Sequence, residues 1–268
     1  MSESERKQLS YNIPMNLTLT FPLLLGWLSG WLVNYLADVL PITRKFSRPT
    51  CPQCQSPFSW SDYLFYTNCK SCGRCRTFRT LVVQIVMVIL PAILWIFPRA
   101  WLPFPLAFIL LIYLAVVLVI DLEHRLILHP VSLAGAVLGL GIGIYLNSYH
   151  STLSNGIIKT LIGGAFGFGV MLVFYFIGEW YVRRMSKKRG LSPDEVALGF
   201  GDVNLSGILG MLLGWPSIFA GRLFAVFAGG IVSLGIIVGM LITKKYKVFT
   251  AIPYAPFLIL SALYLIFI

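Results

Sequence analysis

The sequence predicts an all-α polytopic membrane protein of about eight transmembrane helices with a small cysteine-rich insert. Three observations predict it. Of the 268 residues, 57% are hydrophobic and only 12% are charged, about half the charge of an ordinary soluble domain. Apolar runs recur along the chain, each close to the ~20 residues that a helix needs to cross a bilayer. One polar stretch holds all five cysteines. No soluble core hides that much apolar surface, so the solvent of the helices is lipid.

Eight runs qualify as spans: 17–38, 80–98, 101–120, 127–147, 157–181, 196–215, 217–243 and 250–268. The sixth is interrupted by Gly199, Gly201, Asp202 and Asn204, and the eighth is short. Residues 1–16 are polar and mixed in charge, without the form of a cleavable signal peptide, so the first run reads as a retained helix. Three regions follow. Residues 1–38 are an outer tail and the first transmembrane helix, 39–79 a cytoplasmic Cys-rich insert, and 80–268 a membrane bundle.

Charge tests this order. If 39–79 faces the cytoplasm, so do the connections near 121–126, 182–202 and 244–249. Together these pieces hold sixteen of the 21 basic residues, and the outer pieces keep Arg6, Lys7, Arg99, Lys159 and Arg222. Lys and Arg accumulate in cytoplasmic loops, so the asymmetry places both termini outside. It also explains the net charge of +11 with the lipid bilayer as partner and no nucleic acid. The run 183–189 is chiefly a topology determinant that also suits anionic lipid. Trp95, Trp101 and Trp215 read as interfacial anchors.

Acids are scarce, so those touching an apolar run stand out. A carboxylate in mid-span costs about 2.5–3.5 kcal/mol on insertion scales and usually has a task or a partner. Asp121 follows the run 109–120 without a spacer, and Asp202 lies in Gly199-Phe200-Gly201-Asp202. Topology puts both at the cytoplasmic ends of different helices, at similar depth. Two facing carboxyls share one proton between them. The ionised one then takes a proton from water as general base, and the protonated one polarises a scissile carbonyl. Gly199 and Gly201 lack a Cβ and let a substrate backbone approach. Glu123 either supports the active site or is an exposed loop acid. A plainer reading of Asp121 stays open: an acid facing interfacial water or paired with an Arg. Asp38 and Glu179 read as solvated or salt-bridged interfacial groups. The glycines 135, 139, 141 and 143, like 163, 164, 167 and 169, serve close helix packing.

These segments carry a resemblance. GFGDVNLSGILGMLLGW, around Asp202, resembles the GxGD signature of membrane aspartyl proteases, and its Leu213-Gly214-Trp215 ending the type IV prepilin peptidases. IDLEHRLILHPVSL, around Asp121, is similar to the stretch bearing that family's first catalytic aspartate. There Leu128 and His129 stand where Pro and Asp are usual, and Asn204 stands where Lys is usual. GWLVNYLADVLP resembles the exit of the first helix, with Val39 in place of Arg. The resemblance implies Asp121 and Asp202 as catalytic residues and prepilin-like precursors of type IV pili or type II secretion as substrates. It further implies leader cleavage after a glycine on the cytoplasmic side of the inner membrane. Many members also methylate the new N-terminus with S-adenosylmethionine, although Gln84 replaces a usual Glu in this chain.

The insert reads Cys51-Pro-Gln-Cys54 and later Cys69-Lys-Ser-Cys72. Two such knuckles bring four thiolates to one tetrahedral ion, a strong zinc signal, and reducing cytoplasm favours metal over disulfide. The insert is therefore expected to be a small zinc-binding cytoplasmic one. Cys75 is left over as a spare ligand or unligated thiol. Asp121, Glu123 and His124 lack the spacing of a known zinc hydrolase such as HExxH. Two rivals remain: an ion- or proton-coupled transporter using Asp121 and Asp202, and a non-catalytic assembly factor that docks partners through the insert.

Overall fold

The computed structural model describes residues 15–51, 54, 56–64, 67–73, 78–149, 151–189, 199–242 and 254–267. Among them are nine helices and no extended sheet: α1 (Met15–Thr43), α2 (Trp60–Leu64), α3 (Phe78–Ile96), α4 (Phe104–His124), α5 (His129–Ser148), α6 (Leu153–Arg189), α7 (Phe200–Leu213), α8 (Ser217–Ile242) and α9 (Ala255–Phe267). Five (α1, α3, α4, α5 and α6) are long and apolar enough to cross a membrane, and α7, α8 and α9 supply shorter apolar stretches at the places of the last three predicted runs. Large apolar side chains lie open on the long helices, such as Ile85, Ile89 and Ile93 on α3 and Val173, Phe174 and Ile177 on α6. Surfaces of that kind belong against lipid. The protein is a multi-pass membrane protein.

Several boundaries differ from the sequence expectation. α1 continues past residue 38 to Thr43, because Asp38 finds partners and does not have to end the helix. α4 runs beyond residue 120, so Asp121 lies inside its last turn. α6 has 37 residues, about 55 Å at 1.5 Å per residue, and overruns a hydrocarbon core of about 30 Å. Its exposed end carries the Glu179–Arg183 pair, 2.5 Å apart. α7 has 14 residues, only about 21 Å long.

The chain divides into two compact units, Met1–Ile112 and Tyr113–Ile268, with the boundary inside α4. In the first, α1 packs on α3. A Cβ at Gly26 would run into the backbone of Met87 and Val88, and one at Gly30 into the Gln84 side chain. Asn34 Nδ2 donates to the Thr80 carbonyl (3.2 Å) and Gln84 Nε2 to that of Trp27 (2.9 Å).

In the second unit α7 is the central strut, packed by α5, α6, α8 and α9. Val203, Leu205–Gly210, Leu212 and Leu213 are buried round its whole circumference, as expected of a helix that is apolar on every side. Lipid tails are as apolar as Leu, so burial alone gives no drive for helices to associate; close backbone approach and hydrogen bonds do. Both are present. A Cβ at Gly163 would meet the Gly210 carbonyl, and one at Gly167 that of Ser206. Gly135 and Gly139 lie against Ile208, and Gly143 against Met211. Gly141 and Gly169, expected in the same role, face open space. At the far end of α7, Asn147 Nδ2 donates to Gly143 O (2.8 Å), Thr160 Oγ1 (3.0 Å) and Met211 O (3.3 Å), tying three helices together.

Candidate functional site

Asp121 closes α4 and Asp202 opens α7. Termination of α4 depends on Arg125, which takes a left-handed conformation (φ 54° at Arg44 and 50° at Arg125 are the two such non-glycine residues among those described). Its N–H returns to the Asp121 carbonyl at 2.8 Å, the bond of an αL cap. The start of α7 is set by Gly199, extended at φ −74° and ψ 142°, whose carbonyl accepts the Asp202 N–H at 3.1 Å.

Asp121 is 5% exposed, and its Oδ2 meets no hydrogen-bond donor among the described residues. Asp202 is half-buried. The two carboxyl groups, far apart in the chain, lie within electrostatic reach of each other. Arg125 is the cation that acts on Asp121. Glu123 and His124 are exposed in the same last turn of α4, and His129 is exposed at the start of α5.

The two glycines before Asp202 have different surroundings. The space beside Gly201 is filled by Ile127, whose Cβ and Cγ1 a side chain at 201 would strike. Beside Gly199 only the Asp202 carboxylate and the Gly201 amide come within 4 Å. Gly201 thus lets the start of α7 close onto the segment that follows Asp121. Gly199 leaves an opening next to the acid.

His129 and Asn204, two positions that depart from the prepilin peptidase pattern, line one cavity of about 540 Å³ together with Ser132, Gly164, Gly207 and Met211. At 100° per residue, Asn204 projects from the side of α7 nearly opposite Asp202. The cavity therefore lies behind the acid-bearing face of α7.

The insert assembles a second cluster. Cys51 N–H donates to the Ser56 carbonyl (2.9 Å) and Gly73 N–H to that of Cys69 (2.7 Å), one backbone hydrogen bond at each knuckle. Gly73 has φ +69°, a conformation glycine adopts without steric cost. The sulfurs of Cys51, Cys54, Cys69 and Cys72 all lie within 4.8 Å of one another. Cys51–Cys72 and Cys54–Cys69 are 3.7 and 3.6 Å apart. Those separations are far too long for disulfides, with S–S near 2.05 Å. They match the roughly 3.8 Å between sulfurs on a tetrahedral ion with metal–sulfur bonds of about 2.3 Å. The donor set fits a structural zinc. Hydrogen bonding with Ser56 Oγ, aided by the Cys72 and Ser71 amides, pulls the Cys69 thiol down to about 6, toward the thiolate a metal requires. Among the described residues no other group of His, Cys, Asp and Glu is placed for a metal. Cys75 lies outside the described residues.

The reading of Asp38 as a solvated or salt-bridged group now has named partners, and a second feature, Arg222, escaped sequence reasoning. Asp38 accepts from Tyr63 Oη (2.5 Å) and pairs with Arg79, which also donates to Asn34 Oδ1 (3.2 Å). With Trp31, Tyr35, Phe58 and Tyr63 packed around it, this cluster clamps the insert to α1 and α3. Arg222 does not lie in an outer piece. It is buried in the bundle at 7% exposure, because its guanidinium finds the Gly167 carbonyl and Ser206 hydroxyl. An Arg six residues into an apolar helix was the available signal.

Residues 108–234 match the type IV leader peptidase family. The matched stretch contains both acids and leaves out the cysteine insert. No curated protein and no solved structure matches this chain.

Proposed function

We propose, from the premise that residues 108–234 belong to the type IV leader peptidase family, that this protein is an aspartic endopeptidase removing leader peptides from prepilin-like precursors. The observation that carries the reading is the approach of Asp121 and Asp202. Two acids far apart in sequence, one of them almost wholly buried, converge within the family's matched stretch. In this mechanism one carboxylate accepts a proton from the attacking water while the other, protonated, hydrogen-bonds the scissile carbonyl. The second proton then goes to the leaving amine. The pair titrates jointly, so its two apparent pKa values belong to the dyad. Gly199 leaves room for the substrate backbone beside Asp202. Gly201 acts instead by admitting Ile127, and Glu123 borders the site at the surface.

The basic connections orient this site toward the cytoplasm of the inner membrane. The precursor's apolar helix lies in lipid and its basic leader in the cytoplasm. The four cysteines hold a structural zinc whose binding free energy folds an insert with little apolar core of its own. Methylation with S-adenosylmethionine is carried by the resemblance alone.

The deciding comparison is wild type against Asp121→Asn and Asp202→Asn in membranes with a prepilin-like precursor, read by product mass. Each variant is expected to lose cleavage by at least about 100-fold, the lower range of an acid–base contribution. If both variants still shorten the precursor, the peptidase reading is wrong; acid-dependent ion flux without cleavage points to a transporter.

A further inference from the structure

A guanidinium inside a lipid-solvated bundle is costly and marks a task. Arg222 sits in the second turn of α8, and no carboxylate pairs with it among the described residues. Its Nη2 donates to the Gly167 carbonyl of α6 and the Ser206 hydroxyl of α7. Its Nη1 lies 3.6 Å from Met171 Sδ, and its buried Nε has no partner among the described residues. Ser206 Oγ in turn donates to Gly167 O at 2.9 Å. These contacts by themselves describe a bolt through three helices.

Their location adds more. Ser206 lies four residues after Asp202, so it stands on the same face of α7 one turn away. Arg222 therefore ties α6, α7 and α8 together one turn from Asp202.

We propose that Arg222 is a positioning residue for Asp202, fixing Ser206 one turn further along α7 so that the carboxyl is held in the geometry needed for water attack. This rests on the peptidase reading. Arg222 does not contact the scissile bond; it limits how far the first turns of α7 can move.

The test uses the full chain in lipid bilayers with a prepilin-like precursor bearing a basic leader and an apolar helix. Arg222→Met is expected to lower kcat by roughly 100-fold, the scale of a 1 Å misplacement, with KM unchanged. Arg222→Lys keeps a cationic donor and should regain part of kcat. Ser206→Ala removes the hydroxyl that Arg222 holds and should lower kcat in the same direction while its thermal unfolding stays near wild type, which separates positioning from a folding defect. The proposal is overturned if Ser206→Ala keeps wild-type kcat, or if Arg222→Met loses activity only in proportion to its folded fraction. The peptidase reading has a separate control in Asp202→Asn. Continued cleavage there removes the peptidase reading, whereas its loss beside fully active Arg222→Met and Ser206→Ala removes only the positioning role.

Discussion

In the insert, four sulfurs from one short stretch of chain converge from two knuckles, each with a local backbone hydrogen bond. In the bundle, Asp121 and Asp202 come from different helices, and the position of Asp202 depends on α7, which glycines on α5 and α6 let seat between those helices. One centre is built by local turn geometry and side-chain chemistry, the other by backbone fit across helices. The two should therefore fail in different ways. Loss of a ligand should undo the insert, whereas the acid pair should be lost by adding bulk where there is no room.

The largest break is expected in the insert. Cys51→Ser, or a strong chelator, should remove one zinc per chain by elemental analysis and open residues 44–77 to protease. Structural zinc sites are worth about 10–16 kcal/mol in isolated fingers, so an intact, metal-loaded insert after Cys51→Ser would rule out the four-cysteine site. Next, Gly163→Leu should cost about 3 kcal/mol, the upper end for overpacking, because the obstructing atoms are the backbone of Gly210 and Gly214. Thermal unfolding in detergent would show it, with cleavage lost in step; wild-type stability would mean that α6 and α7 are not in backbone contact there.

A smaller effect sharpens the clamp between insert and helices. Tyr63→Phe removes the hydroxyl from Asp38 and should cost about 1.5 kcal/mol, as for a hydrogen bond to a charged group, read as faster amide exchange in α2. The smallest serves as the control for Gly163. Gly169→Ala adds a methyl where nothing lies within 4 Å, and stability should stay within about 0.5 kcal/mol of wild type. A large loss at both glycines would indicate sensitivity to α6 sequence in general rather than to the α6–α7 contact.

Much of this was legible in the residues. Apolar runs bounded by basic loops located the long helices, since length and hydropathy are local properties. The CxxC spacing located the four clustered cysteines for the same reason. Helix ends were less legible. α1 passes Asp38 because Arg79 and Tyr63 neutralise and bond it, and α4 includes Asp121 because Arg125 caps it from a left-handed conformation. Gly141 and Gly169 could not be told from Gly139 and Gly167 by composition, because which side of a helix meets a neighbour is a property of the pair.

By itself the sequence determined the solvent of the helices and the cysteine cluster and singled out two acids beside apolar runs, all of which depend on residue type and short spacing. Only the tertiary structure decided that the acids approach, that Gly201 yields its space to Ile127 and that Arg222 lies buried beside the turn of Asp202. Those outcomes depend on how helices far apart in the chain pack, and close packing in lipid is decided by backbone shape, which no single segment encodes.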